Sequence, residues 1–124
     1  MKKTFLLAVA LVTVVLVLSS CFLFQSYNLT GTWLVTVTYV GQTPTSITMT
    51  ISQNGNAITV YDTDDGLTFT GTVNGNNVQF SYTNYGATIS FAGTISYSTY
   101  MSGNFTITYS NGQQSGTWSA VKQS

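Results

Sequence analysis

The chain has 124 residues, with three lysines against three aspartates, a single cysteine, and no histidine, glutamate or arginine. A neutral formal balance without a basic cluster gives no electrostatic footprint for nucleic acid, and a lone cysteine permits neither an internal disulfide nor a zinc framework. General acid–base and nucleophilic routes lack their usual partners, since the only carboxylates are Asp62, Asp64 and Asp65, so neither an enzyme nor a cofactor or metal is expected.

The first element is Met1-Lys2-Lys3 followed by an apolar run from Phe5 to Leu18, broken only by Thr13, and then by Leu18-Ser19-Ser20-Cys21. The pattern resembles the signal peptide and lipobox of bacterial lipoproteins. The resemblance implies export, a signal-peptide helix over residues 1–20, cleavage before Cys21, and two or three acyl chains on Cys21, palmitate among them. Each buried methylene of such chains contributes about 0.8 kcal/mol to anchoring. A transmembrane anchor is the competing reading, because about 20 apolar residues span a bilayer; the small residues before Cys21 and the lack of a basic stop-transfer cluster fit cleavage better. Phe22 rather than Asp follows Cys21, which by resemblance to enterobacterial sorting places the protein on the outer membrane of a Gram-negative host. Residues 21–29 form a short tether, and residues 30–122 one small domain.

From Thr30 onward, apolar residues alternate with Thr and Ser at period two, the pattern of half-buried strands. Thr30 to Val40 puts Trp33, Val35, Val37 and Tyr39 on one face. Ser46 to Gln53 turns Ile47, Met49 and Ile51 inward, and Asn54-Gly55-Asn56 supplies a tight reversal into Ile58 and Val60. Asp64-Asp65-Gly66 leads into Leu67, Phe69 and Val73, and Asn74-Gly75-Asn76 into Val78, Phe80 and Tyr82. Asn84-Tyr85-Gly86 precedes Ala87, Ile89, Phe91 and Ile95; a turn near Ser96 to Thr99 precedes Met101, Phe105, Ile107 and Tyr109. Asn111-Gly112 closes the last hairpin, and Gln114 to Val121 carries Trp118 and Ala120 inward.

About eight short-linked antiparallel strands with one apolar face predict an all-β, up-and-down barrel, because closure buries that face and removes both edges. Strands one and eight run in opposite directions and can pair. A Greek-key sandwich needs longer crossovers, and a membrane-spanning barrel needs an apolar outer face. Glycines recur at inward positions in Gly31-Thr32-Trp33, Gly71-Thr72-Val73, Gly93-Thr94-Ile95, Gly103-Asn104-Phe105 and Gly116-Thr117-Trp118. Such glycines mark sharp bends or room for a bulky neighbour. Leu29-Thr30-Gly31-Thr32-Trp33 is similar to the Gly-x-Trp opening strand of lipocalins and of avidin-like barrels, which implies a small ligand-binding barrel.

Strand direction sorts the turns between two ends. The base, near Trp33, takes the turns at 54–56, 74–77 and 96–99, with Tyr97 and Tyr100. The opposite rim takes 41–45, 62–66, 83–86 and 110–113, and with them all three aspartates. With Cys21 leading into the base, the rim points away from the membrane. Two binding surfaces follow. A rim contact would use Asp62, Asp64, Asp65 and Tyr85, since tyrosines offer rigid amphipathic area and aspartates strong acceptors. An interior site would hold a small apolar ligand among Trp33, Tyr39, Phe69, Phe80, Tyr82, Phe91, Phe105, Tyr109 and Trp118, although aromatic residues this numerous favour a filled core. The alternative partner is an envelope protein, met by a fully packed barrel in a structural or inhibitor role. Asp62-x-Asp64-Asp65-Gly66 breaks the calcium-loop spacing and reads as a turn. The Thr-x-Thr rows look like ice-binding arrays, but they read as solvent-facing strand formers on a curved sheet.

Overall fold

The structure, a computed structural model, describes residues 27–123. The expected signal-peptide helix, Cys21 and the start of the tether lie outside the described residues. Eight strands follow in order: β1 (Gly31–Tyr39), β2 (Thr45–Asn54), β3 (Ala57–Asp62), β4 (Leu67–Asn74), β5 (Asn77–Asn84), β6 (Ala87–Tyr97), β7 (Tyr100–Tyr109) and β8 (Gly112–Lys122). Each pairs antiparallel with its neighbours in the chain, and β1 also pairs with β8, setting Val35 opposite Ala120 and Val37 opposite Trp118. The sheet therefore closes into the up-and-down barrel that alternation and strand parity predict.

The turns fall at the expected ends, and their chemistry explains the hairpins. At the base, Gly55-Asn56 and Gly75-Asn76 each place glycine first, with φ of 64° and 61°, as a type II′ reversal requires. At the rim, Tyr85 and Gly86 both have positive φ, 50° and 82°, the pattern of a type I′ turn. Tyr85 is the one non-glycine residue with positive φ among the described residues.

Inward side chains from every strand form one core that includes Trp33, Met49, Val60, Phe69, Phe80, Phe91, Phe105 and Trp118. The aromatic rings pack at the edge-to-face and offset angles that their quadrupoles favour. Phe80 stacks on Phe91 with centroids 4.9 Å apart, and Trp118 meets both edge-on at 5.8 and 5.7 Å.

Two kinds of space explain the inward glycines. A β-carbon at Gly71 would overlap the carbonyl oxygen of Gln79, and one at Gly103 would overlap that of Ala92; there the neighbouring strand folds in over the glycine. At Gly93 and Gly116 the neighbouring backbone is equally close, but rings also fill the vacancy. A β-carbon at Gly93 would stand 2.7 Å from Trp118 Cζ2, and one at Gly116 would stand 2.8 Å from Phe105 Cε1. Close backbone approach is thus in use at all four glycines, and room for a bulky ring in addition at Gly93 and Gly116.

One boundary differs from the sequence reading. Leu29, expected as the last tether residue, is fully buried. Its N–H donates to Gln53 Oε1 at 2.8 Å, and its carbonyl accepts the Trp33 indole N–H at 2.8 Å. An apolar residue before the first strand is thereby drawn into the core at the base, with its polar backbone atoms satisfied on the way in.

Two substitutions test this packing by chemical denaturation. Gly71→Ala is expected to cost about 3 kcal/mol, because the clash is with backbone that no rotamer change relieves, whereas Gly112→Ala, with nothing near its β-carbon, is expected to be nearly neutral. Leu29→Ala is expected to cost about 3 kcal/mol as a buried large-to-small change.

Candidate functional site

Toward the rim the barrel interior opens into a hollow. A cavity of about 100 Å³ lies among inward residues of β1, β2, β3, β4, β6 and β7, together with Asp65 of the β3–β4 turn. Its walls are mainly aliphatic: Val37, Ile47, Met49, Leu67, Ile89 and Ile107. Phe69, Phe91 and Phe105 line it nearer the middle of the barrel, and Tyr39 stands against Phe105 edge-on at 5.2 Å. Two carboxyl groups, those of Asp62 and Asp65, complete the lining.

Alternation along β3 explains Asp62. Ile58 and Val60 face inward, so Asp62, two residues on, does too, and it is only 2% exposed. A carboxyl group at such a place needs donors. Asp62 Oδ1 accepts the backbone N–H groups of Asp64 at 2.9 Å and Asp65 at 3.1 Å, and the Asp62 carbonyl accepts the Gly66 N–H at 2.8 Å. The side chain thus shapes the turn that carries the chain from β3 to β4. Burial pushes its pKa above the ordinary carboxylate value, opposed by the N–H groups of Asp65 and Asp64, and the nearby Asp65 carboxyl adds to the rise.

The expected interior ligand residues divide along the barrel axis. Tyr39, Phe69, Phe91 and Phe105 line the cavity. Trp33, Phe80 and Trp118 do not; they belong to the filled part. Trp33 is held by Leu29 at the base, and the Trp118 indole N–H is shared between the carbonyls of Ala92 at 3.2 Å and Asn104 at 3.1 Å. Tyr82 packs against Phe69 with centroids 5.7 Å apart and is not part of the lining. Tyr109 lies at the end of β7, exposed, with its hydroxyl 3.4 Å from Gln114 Oε1.

The expected rim contacts also divide. Asp62 was expected as an exposed contact and is instead buried, because its parity on β3 turns it inward. Asp65 is on the cavity. Asp64 is committed to the neighbouring strand, its Oδ2 accepting the Thr48 N–H at 3.1 Å. Tyr85 is 99% exposed at the tip of the β5–β6 turn. The aliphatic wall, Val37, Ile47, Met49, Leu67, Ile89 and Ile107, was legible as inward-facing but not as a site. The available signal was position, since these are inward residues in the rim-side part of their strands. Hollows on the outer face, of about 320 and 350 Å³, are bordered chiefly by Thr, Ser, Gln and Asn and are open to solvent, so they lack the enclosing apolar walls of a small-molecule site.

No protein family model matches the sequence, and no curated protein matches it. The chain is similar to the solved structure of EF1p2_mFAP2b bound to DFHBI, with a TM-score of 0.57 and 18% identity, over 77% of this chain and 94% of that chain. At that identity the likeness speaks for the barrel fold, and that barrel carries a small ligand.

The Asp62 carboxyl sets a pH dependence. Between its ordinary pKa and the raised folded one, the native state holds a proton that the unfolded chain has released. Its contribution to stability is therefore fully present at low pH and is lost as pH rises through the folded pKa. Asp62→Asn keeps an Oδ1 acceptor for both N–H groups and removes the charge. Thermal denaturation from about pH 4 to pH 7 is expected to show a falling melting temperature in the parent and a flatter profile, no lower at pH 7, in Asp62→Asn.

Proposed function

We propose that this protein is an exported, lipid-anchored and non-catalytic binding barrel of the bacterial envelope, which takes one end of a small, mainly apolar molecule into the rim cavity. The observation that carries the reading is the half-open aliphatic and aromatic hollow at the rim, with Asp62 and Asp65 as its acidic side chains. Its size limits the guest. A cavity of about 150 Å³ in a protein core admits benzene, so about 100 Å³ suits a short alkyl end or part of a ring, with the rest of the molecule at the rim. The ligand carried by EF1p2_mFAP2b supports binding as a use of this fold. The lipobox resemblance at Leu18 to Cys21 supports the anchor, and the absence of histidine, glutamate and arginine supports a role without catalysis.

Polarity follows from the lining. A guest ending in a hydroxyl or an amine meets an acceptor, whereas a guest ending in a carboxylate meets like charge beside a desolvated acid. Calorimetry with butanol, butylamine and butyrate, and with their phenyl counterparts, is expected to show binding for the first two classes and at least about tenfold weaker binding for carboxylates. Ile107→Trp, which fills the hollow, is expected to abolish that binding without lowering the melting temperature. Absence of heat with every compound, together with no small molecule recovered from the native protein by solvent extraction, overturns the reading.

A further inference from the structure

The outer face is mainly Thr and Ser, with Gln, Asn, Ala and the isolated Tyr61 among them, and it carries one row of several large apolar residues. Leu34 on β1, Val121 on β8, Tyr100 on β7 and Tyr97 on β6 all point outward and are exposed, at 40%, 47%, 36% and 69%. They also lie opposite one another: Leu34 opposes Val121, Val121 opposes Tyr100, and Tyr100 opposes Tyr97 across a register shift between Ile95 and Tyr97 that turns Tyr97 outward. The four therefore form one continuous row across four adjacent strands, roughly 15 Å long at about 4.8 Å per strand spacing. The next outward row toward the rim, Thr36, Ser119, Ser102 and Thr94, is wholly hydroxylic and equally in register. Single apolar residues on a surface are ordinary, but a contiguous line bounded by polar groups marks a contact.

The row lies at the base, and three features there select one kind of partner. First, Cys21 is six residues from Tyr27, where the described chain begins, a reach of about 20 Å at full extension; an acylated Cys21 thus keeps the base beside the bilayer. Second, Lys122, the one cation among the described residues, is next to Val121, while Asp62, Asp64 and Asp65 are all at the opposite end. An anionic lipid surface would attract the base and repel the rim. Third, tyrosines at the end of an apolar strip suit the boundary between acyl chains and headgroups, where one part of the ring is dry and the hydroxyl is wet.

We propose that Leu34, Val121, Tyr100 and Tyr97 form a lipid-contact strip curving around part of the base, which seats the base end of the barrel on the bilayer that holds its anchor and fixes the direction in which the rim opens. The proposal rests on the anchored reading given above, and it adds that the barrel is seated on the membrane rather than swinging from it.

The test uses the lipidated full chain in vesicles of phosphatidylethanolamine and phosphatidylglycerol, with tyrosine iodination read by mass spectrometry at each site. Tyr97 and Tyr100 are expected to react at least about fivefold more slowly than in the double variant Leu34→Thr and Val121→Thr, while Tyr61 and Tyr85 react equally in both. The mass of the amino-terminal peptide reports lipidation separately. If Cys21 carries lipid and the variant changes nothing at Tyr97 and Tyr100, the strip is overturned and the anchor stands. If Cys21 carries no lipid, the anchor reading fails by itself; protection of Tyr97 and Tyr100 on vesicles would still uphold the strip, and its absence would overturn that too. Protection that grows with protein density in the bilayer would mark a pair of copies meeting through the row, and would also overturn it.

Discussion

Crowding inside an eight-stranded cylinder governs this molecule. Every strand sends alternate side chains toward one axis, and eight strands enclose barely enough room for them. The chain meets the problem by omission. Where Trp118 and Phe105 swing across the interior, Gly93 and Gly116 remove the side chain that would stand in their way; where β5 and β6 fold inward, Gly71 and Gly103 let the backbone through. Closure between β1 and β8 and the stacked ring cluster both depend on those vacancies. A β-carbon at Gly71 or Gly103 meets carbonyl oxygen, so the curvature and the absence of side chains are one feature seen twice.

The large rings gather around one level of the axis, with aliphatic residues on either side of them. The lower and middle layers receive Trp33, Phe80, Phe91, Phe105 and Trp118, with Leu29 added at the base. The upper layer receives mainly Val, Ile, Leu and Met, with Tyr39 and Tyr82 beside them, and on β3 it ends on a carboxyl group rather than an apolar side chain. Asp62 therefore has two effects at once. It organises the β3–β4 turn through Asp64 and Asp65 N–H groups, and it leaves an acidic surface facing an apolar hollow. Desolvation raises its pKa, which is the energetic mark of a polar group retained at a place where a leucine would pack.

The two ends also differ in charge and in the chemistry of their outer surface. Aspartates gather at the rim and Lys122 at the base, and the apolar row of Leu34, Val121, Tyr100 and Tyr97 sits with the lysine. In an up-and-down barrel each turn is assigned to an end by counting strands, so a few residues placed in alternate turns are enough to polarise the whole domain. Cavity, acids and exposed Tyr85 then share one end, and the first described residues, Lys122 and the apolar strip share the other.

Much of this was legible from residues 30 to 122 alone. Period-two alternation requires strands because only a pleated chain sends successive side chains to opposite faces, and Gly55, Gly75 and Gly86 mark reversals because they accept positive φ. Even strand number with short turns makes the first and last strands antiparallel, so closure and the sorting of turns between base and rim followed from counting. Alternation even carried the signal for Asp62, in phase with Ile58 and Val60, though a charged residue beside a turn reads more readily as exposed. Tertiary structure alone decided which aromatic residues fill and which line a space, since Phe69 and Phe80 are equivalent in pattern and differ only in height and in which rings they meet. It alone drew Leu29 inside through Gln53 and Trp33, and it alone aligned Leu34, Val121, Tyr100 and Tyr97. The physical reason is that alternation is a property of neighbours along the chain, whereas cavity volume and surface patches arise from side chains brought together by register between strands that are distant in sequence.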